Sequence, residues 1–227
     1  MRYTTVLPEW TNEPCFIVAC GPSLRGMDLR NLTAYGRVIV INDSFQLIPD
    51  ADLLYFCDSK WWFSRKAQVN AVFTGRHAAT MENDIDHMWI LRNTGQLGIE
   101  EDPSGLRHGS NSGYQAINLA YHLGCKEIYL LGYDMRVDGQ RMHWNDRPER
   151  QQPAIFAQQL QRIMLPCFNS LAPELKRLGV RVVNCTPDSM LRVFPYEKLS
   201  SVLRRIENDN NQSGYQESGS LRPQFIR

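Results

Sequence analysis

Two short segments carry small polar residues of the kind that bind phosphate groups. Gly21, Pro22 and Ser23 directly follow an apolar run, and the second segment is Ser110 to Gly113. A glycine at the end of a strand lets a phosphate or ribose approach the backbone, and a helix that starts there offers unpaired N–H groups to an anion. Plain turn chemistry is the alternative for the first segment.

The glycine spacing around these segments does not match the common nucleotide-binding loops. Neither G-x-G-x-x-G nor G-x-x-x-x-G-K-[ST] occurs at Gly21, which disfavours a standard dinucleotide or P-loop site. Asn111, Ser112 and Gly113 open a predicted helix, and they suit either a helix cap or a cradle for phosphate and sugar.

Two further polar residues follow apolar runs that are predicted to be strands. Asn42 comes after the second run and is placed to hydrogen-bond a base or ribose, with a helix cap or turn as the alternative. Asp58 comes after the third run. Because ligands bind beyond the carboxyl ends of parallel strands, we expect both side chains to contact ligand.

The segment after the strand Glu127 to Leu131 carries the chemistry that a transfer reaction needs. Asp134 is assigned to the ligand site, and Arg136 is suited to neutralising a departing phosphate. His143, farther along, is suited to proton transfer near neutral pH and is the preferred catalytic histidine. A packing or surface role is the alternative for His143.

No metal or other cofactor is expected. The D-x-D pair Asp50 and Asp52 precedes its strand and so lies at the wrong edge of the sheet for a ligand-bound metal ion, and Asp84 with Asp86 is no better placed. The six cysteines form no C-x-x-C pair and are predicted to be buried thiols. Core packing is the favoured role of the neighbouring Trp61 and Trp62.

The elements that must position these residues alternate between short apolar runs and amphipathic stretches, which predicts a parallel sheet between helices. The predicted strands are Cys15 to Cys20, Arg37 to Ile41, Leu53 to Cys57, Ala71 to Thr74, Met88 to Leu91, Glu127 to Leu131 and Val180 to Asn184. A helix is predicted over Ser112 to Leu123, and Pro166 and Pro173 are expected to split Pro153 to Leu178 into two or three short helices.

These elements predict a single-domain α/β fold over residues 1–206, Rossmann-like, with a mostly parallel sheet flanked by helices. Glu207 to Arg227 has little apolar content and is expected to be a disordered tail. Asn93 to Ser110 and Arg136 to Arg150 are long polar segments and are the candidate lids.

Composition excludes several classes of function. With 25 basic and 24 acidic residues, the net charge of +1 gives no general affinity for nucleic acid or anionic membranes. No run approaches the ~20 apolar residues of a membrane span. Residues Met1 to Asn12 do not resemble a signal peptide, so a cytoplasmic protein is expected.

Four motifs in order resemble the bacterial sialyltransferases of glycosyltransferase family 42 and related, often phage-encoded, proteins. Their G-N-G-P-S-L, T-S-G, G-I-D-F and C-P-N-S-L-L segments have counterparts here at Cys20 to Leu24, Asn111 to Gly113, Gly132 to Met135 and Cys185 to Leu191. The resemblance implies a GT-A-like variant of the fold and transfer of a sugar from a cytidine-monophosphate donor without metal. It places Ser23, Asn42, Ser112 and Gly113 around the nucleotide.

The sequence also departs from that family. The asparagine between the family's two glycines is Cys20 or absent, and Arg136 replaces the tyrosine that assists the leaving phosphate. The family's general-base histidine lies farther downstream than His143. The donor sugar and the acceptor are not identified, and homo-oligomers are common among related transferases.

The same broad fold is similar to that of the archaeal hydroxymethylpterin pyrophosphokinases and the flagellin-modifying motility accessory factors. The first similarity gives a pyrophosphokinase dependent on ATP and Mg²⁺ as an alternative function. A nucleotide-binding module without turnover is the third alternative.

Overall fold

The computed structural model describes residues 3–81, 87–146 and 152–218, with side chains up to residue 212. Seven parallel strands form one sheet in the order β5-β4-β3-β2-β1-β8-β9. They are β1 (Cys15–Val18), β2 (Arg37–Ile41), β3 (Leu53–Phe56), β4 (Arg76–Ala79), β5 (Met88–Ile90), β8 (Glu127–Leu131) and β9 (Arg181–Asn184). Two short strands, β6 (Arg92–Asn93) and β7 (Gly105–Leu106), pair separately.

Helices cover both faces of this sheet. They are α1 (Ser59–Val72), α2 (Ser112–His122), α3 (Pro153–Gln159), α4 (Leu165–Arg177) and α5 (Leu199–Ser218). Alternate residues of each strand enter different cores: Ile17 packs with the residues of α2 and α4, whereas Phe16 packs with those of α1 and α5. A sheet buried on both faces explains why its strands are continuous apolar runs. The predicted Rossmann-like, single-domain α/β fold is confirmed.

One predicted strand is wrong. Ala71 and Val72 end helix α1, and the fourth strand begins later, at Arg76. Gly75 lies between them, where an added Cβ would be 2.1 Å from the carbonyl oxygen of Ala51. A short, mostly apolar run does not distinguish a helix end from a strand, and here the helix that Asp58 caps continues to Val72, within that run.

The segment Pro153 to Leu178 is divided, as expected, but by different means. Helix α3 leads into one π-helical turn, Leu160–Met164, and then into α4. Pro166 lies directly after the π-helical turn, in the first turn of α4. Pro173 lies inside α4 and does not end it.

The C-terminal region differs from the expected tail. Helix α5 continues through Ser218, and the Tyr35 hydroxyl donates a 2.6 Å hydrogen bond to the Glu207 carboxylate. Residues 207–218 of the expected tail are thus helical. Residues 219–227 of the expected tail lie outside the described residues, as do Asp84, Asp86 and residues 147–150 of the second candidate lid.

The candidate lid Asn93 to Ser110 is built into the fold. It contributes β7, and the buried Asn118 accepts from the backbone N–H groups of Glu100 and Arg107. None of the helices among the described residues is both long and apolar enough to cross a membrane.

Candidate functional site

A cavity of about 410 Å³ lies at the carboxyl edge of the sheet, where the strand order reverses. The chain moves outward from β1 to β5 and then returns to place β8 on the other side of β1, and such reversal points are the usual ligand sites of open α/β sheets. We call it the switch-point cavity. Its lining includes Gly21, Asn42, Asp58, Asn111, Ser112, Gly113, Asp134, Arg136 and His143. Of the predicted site residues, Pro22 and Ser23 do not line it.

Ser23 supports the site through Asp134. The Ser23 hydroxyl donates to one oxygen of the Asp134 carboxylate at 2.8 Å, and the Ser23 N–H donates to the other at 3.1 Å. Burial raises the pKa of Asp134, while these hydrogen bonds and the charge of Arg136 lower it. The serine expected to contact the nucleotide therefore holds a buried carboxylate in place, and Pro22 is buried in the same turn.

Gly21 is required by this close packing. An added Cβ would be 1.9 Å from Asp134 Oδ2 and 2.4 Å from the carbonyl oxygen of Gly132. The Gly21 N–H donates to that carbonyl oxygen at 2.9 Å. The glycine after β1 thus joins the ends of β1 and β8.

The N-terminus of α2 forms a second wall of the cavity. The Asn111 side chain accepts from the Tyr114 N–H at 2.8 Å, so Asn111 is the helix cap. The N–H groups of Ser112 and Gly113, in the first turn of the helix, have no intrahelical acceptor and carry the positive end of the helix dipole. The Ser112 hydroxyl lies 3.0 Å from the Cys57 thiol.

Gly113 is also constrained by packing. An added Cβ there would be 2.8 Å from the Tyr133 ring, whose hydroxyl donates to the Gly113 carbonyl at 3.0 Å. The cap and this contact fix α2 against the segment that follows β8.

Asn42 and Asp58 occupy the ends of β2 and β3. Asn42 has a left-handed backbone (φ 48°), and its Oδ1 is buried without a hydrogen-bond partner. A buried amide oxygen without a partner is costly, so it is suited to accept from a ligand N–H or O–H. Asp58 caps α1 by accepting from the Lys60 N–H at 2.8 Å. Asp58 thus has the capping role that the sequence offered as an alternative for Asn42, and it also lines the cavity.

The loop of residues 136–146 places His143 against the cavity. Its ring contacts Phe156 edge to face at 5.4 Å, and its backbone N–H donates to the Asp146 carboxylate at 2.9 Å. Burial lowers the pKa of His143, and the carboxylates of Asp146 and Asp43 act in the opposite direction. With its pKa below 6.5, His143 is neutral at pH 7 and able to accept a proton.

Arg136 begins the same loop. Its Nε donates to the carbonyl oxygen of Asp188 at 3.1 Å, which anchors the side chain to the segment after β9. Arg136 is part of the cavity lining, and its charge lowers the pKa of the Asp134 carboxyl.

An apolar wall faces these polar groups, and sequence reasoning missed it. Met135, Met142, Phe156, Leu160 and Met164 form this wall. Three of them recur at every fourth residue along α3 and the π-helical turn, which was a detectable signal of one helix face. The cavity is therefore polar at the strand ends and apolar on the side of α3.

The other residues that were considered as ligand or metal contacts have structural roles. Asp52 accepts from Arg37 and the Val38 N–H, and Trp62 stacks on Phe56. Within residues 3–81, 87–146 and 152–212, no three His, Cys, Asp or Glu side chains come together as a metal site. All six cysteines are free thiols; four are buried, whereas Cys20 and Cys57 are half-buried at the cavity.

One solved structure has a similar fold. The MAf glycosyltransferase from Magnetospirillum magneticum AMB-1 aligns with a TM-score of 0.60 and 17% sequence identity, over 88% of this chain and 36% of that chain. The fold of this chain is similar to that part of the glycosyltransferase structure. This chain spans about a third of that protein's length, and the similarity concerns the fold alone. No protein-family model matches the sequence, and no curated protein matches it.

Proposed function

We propose that this protein is a nucleotide-sugar-dependent, sialyltransferase-like glycosyltransferase that uses a CMP-activated sugar without metal. The observation that carries the proposal is the composition of the switch-point cavity. A helix N-terminus, an arginine and a neutral histidine line one space at the reversal of the strand order. The glycosyltransferase fold of the solved neighbour supports the same class of reaction.

The charges at the cavity favour a donor with a single phosphate. Among the described lining residues, Arg136 is the one lysine or arginine, and Asp58 and Asp134 are carboxylic acids. A nucleoside diphosphate or triphosphate brings more negative charge than one guanidinium and a helix N-terminus balance. A nucleoside monophosphate sugar fits this balance, and the motif resemblance implies the same donor.

Different groups of the cavity act on the leaving phosphate and on the acceptor hydroxyl. Arg136 and the first N–H groups of α2 stabilise the charge that develops on the departing phosphate, a contribution of ~3 kcal/mol in comparable sites. His143 removes the proton of the acceptor hydroxyl as the new glycosidic bond forms. The buried Oδ1 of Asn42 hydrogen-bonds the base or ribose.

Calorimetry with CMP, UMP, AMP and GMP, each with chelator and with Mg²⁺, tests this proposal. We expect CMP to bind most tightly and with the same affinity in both conditions. Donor hydrolysis is then followed with CMP-activated sugars. A preference for adenosine nucleotides that requires Mg²⁺ contradicts the proposal and favours a pyrophosphokinase. CMP binding without turnover of any donor identifies a nucleotide-binding module.

A further inference from the structure

Asp43 is a buried carboxylate beside the cavity whose contacts reach two separate parts of the molecule. Its Oδ1 accepts from Arg65 Nε at 2.9 Å and from Trp61 Nε1 at 3.0 Å, both on α1. Its Oδ2 accepts from Asn145 Nδ2 at 2.8 Å, on the loop of residues 136–146. The side chains of Asp43 and Arg65 are only 16% and 20% exposed.

The contacts with α1 hold the Asp43 carboxylate rigidly. Trp61 packs against Phe45 at 6.3 Å and against Phe56 at 5.1 Å between ring centroids. The bidentate contact with Arg65 fixes both carboxylate oxygens. Asp43 therefore presents a fixed, charged acceptor to the loop.

Further hydrogen bonds within the loop connect the Asn145 contact with Asp43 to the position of His143. Asp146 accepts from the N–H groups of Met142 and His143, and the Trp144 N–H donates to the Cys20 carbonyl at 3.0 Å. Asn145 lies between these two connections. A hydrogen bond from Asn145 to a charged acceptor is about twice as strong as one between neutral groups. The Arg25 guanidinium, in the segment after β1, also donates to the Trp144 carbonyl oxygen, so the loop has two charge-assisted contacts with the sheet edge.

We propose that Asp43 is a positioning residue: through Asn145 it holds the 136–146 loop closed, so that His143 and Arg136 face the switch-point cavity. The catalytic consequence rests on the proposed function. The structural consequence, a closed loop in the ligand-free protein, does not.

Hydrogen exchange on the ligand-free protein tests the structural part. In Asp43→Ala and in Asn145→Leu, we expect the amides of residues 142–144 to exchange at least about tenfold faster, with those of α2 unchanged. Asn145→Leu leaves the carboxylate with its partners on α1, so it separates loop release from damage to the fold. Asp28→Ala removes an exposed carboxylate paired with Arg30 and is the matched control.

The double variant identifies the route of the effect. If Asp43 acts through Asn145, the combined variant Asp43→Ala with Asn145→Leu exchanges no faster at residues 142–144 than Asp43→Ala alone. Once a sugar donor that the protein turns over has been identified, kcat should fall at least about tenfold in both single variants, while KM for the donor changes less.

Wild-type exchange at residues 142–144 in both single variants would overturn the proposal, as would additive effects in the double variant. If the exchange results hold but CMP does not bind, the role of Asp43 in holding the loop stands and the proposed function fails.

Discussion

The carboxylate of Asp134 fills the space that a side chain at position 21 would need. Alanine at Gly21 would place its Cβ 1.9 Å from Asp134 Oδ2 and 2.4 Å from a backbone oxygen, which cannot move aside as a flexible side chain does. We expect Gly21→Ala to lower the free energy of unfolding by about 1–3 kcal/mol and to weaken nucleotide binding. Urea denaturation and calorimetry measure the two effects.

Gly26 provides the control for this substitution. It lies in the same 3₁₀ segment, Pro22–Gly26, and an added Cβ there meets no atom within 4 Å. Gly26→Ala should therefore bind nucleotide like the parent. Equal stability of the two alanine variants would show that the contact between Gly21 and Asp134 is not as close as described.

The two candidate catalytic residues give a second prediction at this scale. His143→Ala and Arg136→Ala should each lower kcat by at least about tenfold, because they remove a general base and a charge that stabilises the leaving phosphate. The melting temperature should change little, since both side chains are only half-buried. Arg141→Ala, an exposed residue of the same loop, is the control. If both variants turn over substrate at the rate of the parent protein, His143 and Arg136 are not catalytic and the loop has a structural role only.

Sequence reasoning found the residues of the cavity better than their roles. Residue type and position after a strand were enough to select Asn42, Asp134 and Arg136. The hydrogen bonds from Ser23 to Asp134 join residues 111 positions apart, and no local pattern contains that information. The same is true of Asp43, whose partners on α1 and on the distant loop give it its significance.

At the scale of elements, the cap of α2 joins stability to the ligand site. Asn111→Ala removes the side-chain acceptor of the Tyr114 N–H and should lower the free energy of unfolding by about 1 kcal/mol. Nucleotide affinity should fall as well, because the first turn of α2 forms a wall of the cavity. Chemical denaturation and calorimetry again provide the readouts.

Asn111→Ser retains a capping oxygen and should restore most of the stability. An alanine variant with the stability of the parent would mean that the cap is unimportant for this buried helix, which tertiary packing would then hold alone.

Apolar periodicity predicted most elements because this sheet is buried on both faces. Strands such as Arg37–Ile41 and Glu127–Leu131 are continuous apolar runs that no exposed helix would contain. The prediction was wrong where α1 ends at Val72, since its last apolar residues resemble a short strand. No helix was predicted over α5, whose polar C-terminal half has little apolar periodicity and was expected to be a tail.

At the scale of the whole molecule, one buried and two half-buried histidines should make stability depend on pH. Burial lowers the pKa of His77, His122 and His143 below the usual 6.5. The unfolded chain therefore binds more protons than the folded one as pH falls through 6.5. Stability is fully present above that value and is lost as the solution is acidified towards pH 5.

Urea denaturation at pH 7.5 and pH 5.5 measures this loss. We expect a lower free energy of unfolding at pH 5.5, with no change in the dependence on urea concentration. His143→Gln should reduce the difference between the two conditions, because one of the three groups no longer titrates. A protein equally stable at both values would contradict the burial of these imidazoles.

The position of the switch-point cavity between β1 and β8 also determines when the site appears during synthesis. A nascent chain that has left the ribosome only as far as β5 contains five neighbouring strands of the sheet, but the partner that pairs with the other side of β1 is still missing. Contacts between such distant segments form slowly, because a long loop must close first. The complete cavity therefore forms only after β8 has been made and has paired with β1, and a ligand bound there would stabilise this pairing of two strands that are far apart in sequence.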